Sequence, residues 1–219
     1  MSGEHGRRAA RAVVAAITAV GIAACGEGTA SMRSDSIVDR EVAPSPELPN
    51  SSFEEGALTP WQTAGQEYAS IAVTRQLSWE GQYSARVHAR GRRVKGSVLI
   101  GQVAGSGEAA RGSRYRLVLR ARTRRLSRPV QVELKLIYDN KKYDFFLGQA
   151  VAGSPGLPKS GTGIPPGTWR RWITVKVDAV ARRRVETVQV FAFDSGAGRL
   201  RGTVWIDSVE LSSWGPNER

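Results

Sequence analysis

Alternation of apolar and polar residues is the pattern that recurs along the chain after residue 50. Between residues 115 and 122, Tyr, Leu, Leu and Ala alternate with Arg, Val, Arg and Arg, and the same period of two occurs in 130–138 and 173–178. Such a period places one set of side chains on each face of a strand, so each segment is predicted to be a half-buried β-strand. Further strands are predicted near 69–75, 83–89, 97–103, 143–148, 187–194 and 202–211.

These strands together predict an all-β fold. No segment after residue 25 shows a helical stripe, and turn residues separate the strands, which favours an antiparallel β-sandwich of the jelly-roll type. In 187–194, Phe191 and Phe193 are predicted to point to one side of their strand, with buried rings the favoured interpretation. Residues 148–168 lack periodicity and are rich in Gly, Pro and Ser, so they are either a functional loop or an insertion.

The first 49 residues are predicted to consist of an export signal and a linker. Residues 1–24 combine a basic start with an apolar run that is too short to span a bilayer, which is typical of a signal peptide. The segment Ile22-Ala-Ala-Cys25 resembles a bacterial lipobox, which implies a lipid on Cys25; an ordinary signal peptide is the alternative. Residues 25–49 are predicted to be a disordered linker and 214–219 a tail. We therefore expect an exported lipoprotein, anchored to the cell membrane and facing outside the cytoplasm.

Cys25 is the only cysteine in the chain, so residues 50–213 contain neither a disulfide nor a cysteine metal site. This segment has a length that suits one domain with its own core.

Motifs at both ends of this domain resemble those of a known family. The domain opens with Asn50-Ser-Ser-Phe-Glu-Glu-Gly and closes with Thr203-Val-Trp-Ile-Asp-Ser-Val-Glu-Leu211. Inside it, Gly81-Gln-Tyr-Ser-Ala-Arg-Val87 resembles a further strand of the same family. The chain is similar to the carbohydrate-binding modules of families 4, 9 and 22, which are galactose-binding-like jelly rolls that bind cellulose or xylan. The resemblance covers nearly all of 50–213 and implies polysaccharide binding without catalysis.

The resemblance also implies a set of ligand contacts. Arg90 is similar to the ligand arginine of family 22, Tyr143 resembles a cleft aromatic, and Asp194 resembles a cleft carboxylate. Two positions that hold stacking rings in the family hold Val94 and Ala192 here. Because sugar rings stack on aromatic faces, these two losses make xylan a poor prediction for the ligand.

Other candidates come from the residues themselves. Trp79 lies in a turn-like Leu-Ser-Trp-Glu-Gly segment, so an exposed ring there is a candidate sugar contact. Glu133 and Asp194 lie on predicted strands, where carboxylates can bind sugar hydroxyls; a glycosidase pair is a less favoured interpretation. His88 is the only histidine after the signal peptide, which excludes a multi-histidine metal site in this domain. We predict that the protein is not an enzyme.

A structural calcium ion is the one cofactor that the resemblance implies. Glu54 and Asp207 match positions that supply side-chain oxygens, and carboxylates suit that ion. The second Asp of the family's closing motif is Ser208 here. The alternative is a surface glutamate and a turn-capping aspartate, and both interpretations stay open.

Positive charge indicates a second kind of partner. The chain has 32 Lys and Arg against 20 Asp and Glu, a net charge of +12, with clusters in 90–95, 111–128 and 182–184. Such a surface attracts polyanions, but no nucleic-acid-binding motif is present, so no specific nucleic acid partner is predicted. The predicted function is non-catalytic binding of a polysaccharide or cell-wall glycan by a cell-surface lipoprotein. The alternative is an arginine-rich module that binds an anionic polymer or a protein partner.

Overall fold

Within residues 46–105, 109–151, 162–168 and 170–216, which the computed structural model describes, the chain forms strands and no α-helix. In chain order the strands are β1 (Gln62–Ala64), β2 (Ala69–Thr74), β3 (Ser84–Val94), β4 (Leu99–Ala104), β5 (Arg114–Arg124), β6 (Gln131–Tyr138), β7 (Tyr143–Leu147), β8 (Gln149–Ala150), β9 (Ile173–Val180), β10 (Val185–Asp194) and β11 (Gly198–Trp214). The signal peptide, Cys25 and the linker up to residue 45 lie outside the described residues. No helix long and apolar enough to cross a membrane occurs among those that are described.

Two antiparallel sheets pack face to face. The five-stranded sheet has the order β1-β4-β10-β6-β7, and the six-stranded sheet has the order β2-β3-β11-β5-β9-β8. Every strand pair is antiparallel. The predicted all-β sandwich is therefore confirmed, and each predicted strand corresponds to a strand of the structure.

The period of two explains which residues form the core between the sheets. On β5, Tyr115, Leu117, Leu119 and Ala121 are buried, and the arginines between them face solvent. On β9, Val175 and Val177 lie opposite Leu119 and Leu117 and are also buried. Burying an aliphatic side chain contributes roughly 1.5–3 kcal/mol, so these alternating residues supply the driving force for sandwich formation.

A β-bulge in β10 alters one expectation. Val188 and Val190 face the core opposite Leu136 and Leu134, but the register shifts between Phe191 and Phe193. Phe193 is therefore fully buried in the core, while Phe191 lies opposite Glu133 on the outer face of the sheet. The expectation that both rings point to one side is wrong because the bulge inserts one residue and reverses the alternation. Both rings are buried, but only Phe193 belongs to the core between the sheets.

The opening motif forms a loop rather than a strand. Phe53 is fully buried, and its ring centroid lies 5.5 Å from that of Trp61. The Asn50 side chain donates to the carbonyls of Ala57 and Thr59, each at 2.8 Å. The Ser51 carbonyl accepts the Val209 N–H at 3.0 Å, which joins this loop to β11. The motif therefore has a structural role in the fold.

Both ends of the unperiodic segment 148–168 are attached to the sandwich. The Gly148 N–H donates to the Val132 carbonyl at 2.7 Å, and Ile164 is fully buried and pairs with Val130. Residues 152–161 lie outside the described residues, so the choice between a functional loop and an insertion stays open.

Candidate functional site

The outer face of the five-stranded sheet carries a row of large exposed apolar side chains. Tyr143, Phe145 and Leu147 alternate along β7 and are 54%, 42% and 43% exposed. The Tyr143 and Phe145 rings meet edge to face, with centroids 5.2 Å apart and an interplanar angle of 74°. We call Tyr143, Phe145 and Leu147 the aromatic strip. Its position on an edge strand keeps one side of the row open to a ligand.

Buried polar groups lie directly beside this strip. Lys135 pairs with Phe145 across β6 and β7, and Glu133 pairs with Leu147. Lys135 and Glu133 are only 6% and 8% exposed. The Lys135 ammonium lies 4.6 Å from the centroid of the Tyr143 ring and 5.5 Å from that of Phe145, which is a cation–π arrangement.

Gln189 continues this polar row on β10, opposite Lys135. Its Oε1 atom is buried and has no hydrogen-bond partner among the described residues. An unpaired buried carbonyl oxygen is costly to the fold. The face thus combines apolar rings with donors and acceptors.

The two charged groups of this row have shifted pKa values. Burial, reinforced by the negative charge of Asp194 and opposed by Lys135, raises the pKa of Glu133 to about 7. Burial also lowers the pKa of Lys135, against the attraction of Glu133. A carboxyl group that titrates near neutral pH can donate or accept a hydrogen bond according to the pH.

The outer face of the six-stranded sheet has a different character, because arginines dominate it. The solvent side of β5 carries Arg114, Arg116, Arg120, Arg122 and Arg124. On the same face Arg116 pairs with Asp178 of β9 at 2.8 Å.

Trp79 belongs to this arginine-rich side. Its ring is half exposed, and the Arg120 guanidinium lies 4.7 Å from the ring centroid. Trp172 meets it edge to face at 6.5 Å, and the Arg120 side chain also donates to the Thr174 hydroxyl. Trp79 is therefore exposed as predicted, but it packs with an arginine and a second tryptophan on the six-stranded sheet.

A cleft of about 360 Å³ opens at the far end of the same face. Residues of β3, β5 and β11, together with Arg125 just after β5, line it. We call this site the arginine cleft; its side chains are His88, Arg90, Arg124, Arg125, Arg201 and Thr203. The His88 Nδ1 and Thr203 Oγ1 atoms share a hydrogen bond of 2.9 Å across β3 and β11.

The structure brings only some of the predicted contact residues together. Tyr143, Glu133 and Asp194 lie on the five-stranded sheet, whereas Arg90 and Trp79 lie on the side of the six-stranded sheet. Arg90 and Tyr143 thus do not line one groove in this structure. Their roles as sugar contacts stay predictions.

Asp194 has local partners at the end of β10. Its Oδ1 atom accepts the Ser97 hydroxyl and, at 2.7 Å, the Gly196 N–H. The carboxylate therefore caps the turn before β11 while its charge acts on Glu133.

Sequence reasoning missed Phe145, Lys135 and Gln189 as site residues. The alternation of Tyr143, Phe145 and Leu147 was available as a signal, but Phe146 places a further ring on the opposite face of β7. Without the sheet order, neither face could be assigned to solvent.

The two positions that lack stacking rings are both interior. Val94 is 2% exposed and Ala192, beside the bulge, is fully buried. Neither residue contributes to a binding face in this structure.

Glu54 and Asp207 lie at one loop, but their oxygens already have partners. The Asp207 carboxylate accepts the backbone N–H groups of Trp79, Glu80 and Ser208 at 2.7, 3.3 and 2.8 Å. Glu54 accepts those of Gln82 and Tyr83, both at 2.9 Å.

These donors make the Glu54 and Asp207 pair a poor fit for a cation. Burial, together with the charge of Glu54, raises the pKa of Asp207 against the effect of its N–H donors. The described residues contain no group of three His, Cys, Asp or Glu that could hold a metal. Calcium stays a prediction, and the geometry favours the alternative in which the carboxylates anchor the 79–83 loop.

No family model matches the chain, and no curated protein matches it in sequence. Solved structures do share its fold. A cyclase from Fischerella sp. TAU aligns over 80% of this chain and 98% of its own, at 16% identity and a TM-score of 0.55. The tandem CBM22-1-CBM22-2 domain of Xyn10C from Paenibacillus barcinonensis aligns over 80% of this chain and 46% of its own, at 10% identity and a TM-score of 0.50.

The enzymatically active domain of tailspike protein 4 from bacteriophage CBA120 is similar over 77% of this chain and 21% of its own, at 11% identity and a TM-score of 0.54. The chain thus has the jelly-roll fold of carbohydrate-binding modules. At these identities the likeness establishes the fold alone, and the fold is shared by proteins that are named as binding modules and as enzymes.

Proposed function

We propose that the protein binds a polysaccharide through the aromatic strip and does not modify it. The observation that carries this proposal is the exposed row of Tyr143, Phe145 and Leu147 beside the buried polar groups of Lys135, Glu133 and Gln189. Single exposed apolar side chains are common on protein surfaces, whereas a contiguous row of large ones marks a binding surface. The CBM22 tandem, which is named as a carbohydrate-binding module, supports the same class of ligand.

The chemistry of the face suits a sugar chain. The C–H groups of a pyranose ring pack against aromatic faces, while its hydroxyl groups need hydrogen-bond partners at the edge. Lys135 offers donors, and Glu133 can donate or accept near neutral pH. The buried charged residues beside the strip, Lys135 and Glu133, are few and opposite in sign, which favours a neutral glycan.

Binding of the full-length protein in a non-ionic detergent to a panel of neutral and acidic polysaccharides tests the proposal. We expect saturable binding to a neutral glycan, with little change between low and high salt because few charges take part. Tyr143→Ala and Phe145→Ala should each weaken it about tenfold or more, since burying a ring contributes roughly 1.5–3 kcal/mol and 1.4 kcal/mol is tenfold.

Trp79→Ala is the matched control, because it also removes a large, half-exposed ring but lies in a loop on the side of the six-stranded sheet. It should leave glycan affinity unchanged. Loss of binding in Trp79→Ala with retention in both strip variants would place the sugar site on the six-stranded sheet and overturn the proposed face.

We also propose that the module is displayed at the cell surface, with a lipid on Cys25 as its membrane anchor. The basic start, the short apolar run and the lipobox-like Ile22-Ala-Ala-Cys25 support this proposal. The single cysteine leaves one position for such a lipid.

A further inference from the structure

Four arginines line the arginine cleft. Arg90 on β3 lies directly opposite Arg201 on β11, and in the next row Thr203 lies between His88 and Arg124. Arg125 follows Arg124 at the end of β5 and lines the same cleft. Three strands that are distant in sequence thus contribute cations to one opening of about 360 Å³.

These cations have no acidic partners in the part of the chain that the structure describes. No carboxylate lines the cleft, and none of its four arginines takes part in an ion pair with a described residue. The contrast with Arg116, which pairs with Asp178 on the same sheet, shows that an acid can be placed on this face. Arg90 and Arg201 are exposed and lie directly opposite each other with no acid between them, so an anion placed there would be attracted by both.

The backbone around the cleft is held in conformations that most residues avoid. Arg125 has a φ of 54°, in the left-handed region that is uncommon for a residue with a side chain. Gly202 has a φ of 116°, and a Cβ atom there would overlap the Arg125 carbonyl oxygen. This close approach of β11 to Arg125 brings the two chain segments together at the base of the cleft.

We propose that the arginine cleft binds a phosphate-bearing ligand. A ligand that brings negative charge into the cleft would be attracted by these arginines, whereas a neutral sugar would not. A phosphate group offers three or more oxygens and up to two charges, so several arginines can bind one group, with charge-assisted and bidentate hydrogen bonds. A carboxylate offers only two oxygens in one plane and a single charge.

This site is independent of the proposed glycan site, because the cleft and the aromatic strip lie on different sheets. The Thr203 and His88 side chains add hydrogen-bonding groups at its edge. The phosphate could belong to an anionic lipid headgroup or to a soluble or polymeric phosphate, and the same guanidinium chemistry serves both.

Sodium tripolyphosphate is a suitable probe. Its binding to the full-length protein in a non-ionic detergent can be measured by isothermal titration calorimetry at low and physiological salt. We expect one saturable site, and we expect Arg124→Gln combined with Arg201→Gln to weaken it at least about tenfold, because each charge-assisted hydrogen bond is strong. Affinity should fall as salt rises.

Arg111→Gln combined with Arg183→Gln is the matched control. It removes the same charge from two exposed arginines, and both lie near the Arg114 end of β5, about 30 Å from Arg124 on an extended strand. This control should retain the affinity of the native protein. Equal losses in the two double variants, with unchanged melting temperatures, would show a diffuse basic surface and overturn the proposal.

Two further measurements identify the chemical group that binds in the cleft and the molecule that carries it. Citrate carries three carboxylates, and binding as tight as that of tripolyphosphate would overturn the assignment to phosphate. Vesicles of phosphatidylglycerol, compared with phosphatidylcholine, test the lipid source: cleft-dependent binding to the anionic vesicles supports a headgroup, and binding of tripolyphosphate alone supports a soluble or polymeric phosphate. The two proposals can fail separately. Tyr143→Ala changes the aromatic strip and leaves the cleft intact, so the results for tripolyphosphate do not depend on whether a glycan binds.

Discussion

Glu133 shows how one residue's surroundings set its chemistry. It lies on β6 between Leu147 and Phe191 on the neighbouring strands, and it faces Asp194 and Lys135. Burial disfavours the charged form, and the negative charge of Asp194 adds to this effect more than Lys135 offsets it. The result is a carboxyl group whose pKa of about 7 is well above its ordinary value of 4.5.

This raised pKa has a consequence for stability. The carboxyl group binds its proton more tightly in the folded chain than in the unfolded chain, so its contribution to the free energy of unfolding is complete below about pH 4.5. The contribution is lost as the pH rises to about 7. We expect Glu133→Gln to remove this loss and to be more stable than the native protein at pH 8, by about 1–3 kcal/mol.

Urea unfolding between pH 4.5 and 8 measures this difference. Glu55→Gln, at an exposed position, is the control and should follow the native protein at every pH. If Glu133→Gln kept the same decline between pH 4.5 and 7 as the native protein, Glu133 would not be the group responsible.

Asp207 joins two elements, the long strand β11 and the 79–83 loop before β3. Its carboxylate is fully buried and accepts three backbone N–H groups, two of them from that loop. We expect Asp207→Asn to lower the free energy of unfolding by about 2–4 kcal/mol. The NH₂ group of the new amide would face backbone N–H groups, and the charge-assisted hydrogen bonds would be lost. Urea denaturation at pH 7 measures the loss.

Asp178→Asn is the comparison for Asp207→Asn. It removes a carboxylate from an exposed pair with Arg116 and should cost less than about 1 kcal/mol. Equal losses in the two variants would contradict the anchoring role. The same titrations with added calcium test the cation prediction, since a rise in stability that Glu54→Gln abolishes would assign an ion to this loop.

The strands were predictable from sequence because their alternation is local. On β5 and β9 every second residue is buried, as the period of two requires. The bulge of β10 was not predictable, because an inserted residue leaves no mark in the pattern of Val188 to Phe193. The short strands β1 and β8 have too few residues to show any period.

The candidate sites depend on neighbours that lie far apart in the chain. The pairing of Arg90 with Arg201 and of Lys135 with Gln189 follows from sheet order and register, which hydrophobic periodicity does not contain. Trp79 was identified as a candidate from its turn-like local sequence, and Tyr143 only through the resemblance to the family. Their assignment to different sheets required the structure.

The whole molecule presents two unlike faces on the two sides of one sandwich. The five-stranded sheet offers rings and a few opposed charges, while the six-stranded sheet offers mostly arginines, with Asp178 opposite Arg116 and Glu210 opposite Val118. A glycan and a phosphate-bearing ligand would therefore not compete for the same surface. We therefore propose a different face for each of the two predicted partner classes.

Lipid attachment can be measured on the protein expressed in a bacterial host. We expect mass spectrometry of the membrane fraction to find a chain that begins at a lipid-modified Cys25. Cys25→Ser should leave the membrane fraction yet retain glycan affinity, because the domain begins after the linker. Cleavage at another position, with release of the native protein into the medium, would favour an ordinary signal peptide.

The placement of β11 also bears on when the chain can fold. Gly198–Trp214 lies between β3 and β5 and forms ladders with both, so these two strands share no neighbour without it. A ribosome makes this strand after all the other ten. Until it emerges, the six-stranded sheet is split into two fragments, so we expect the domain to fold only late in synthesis. A chain that is still unfolded can thread through a narrow channel, which is what the proposed export would require.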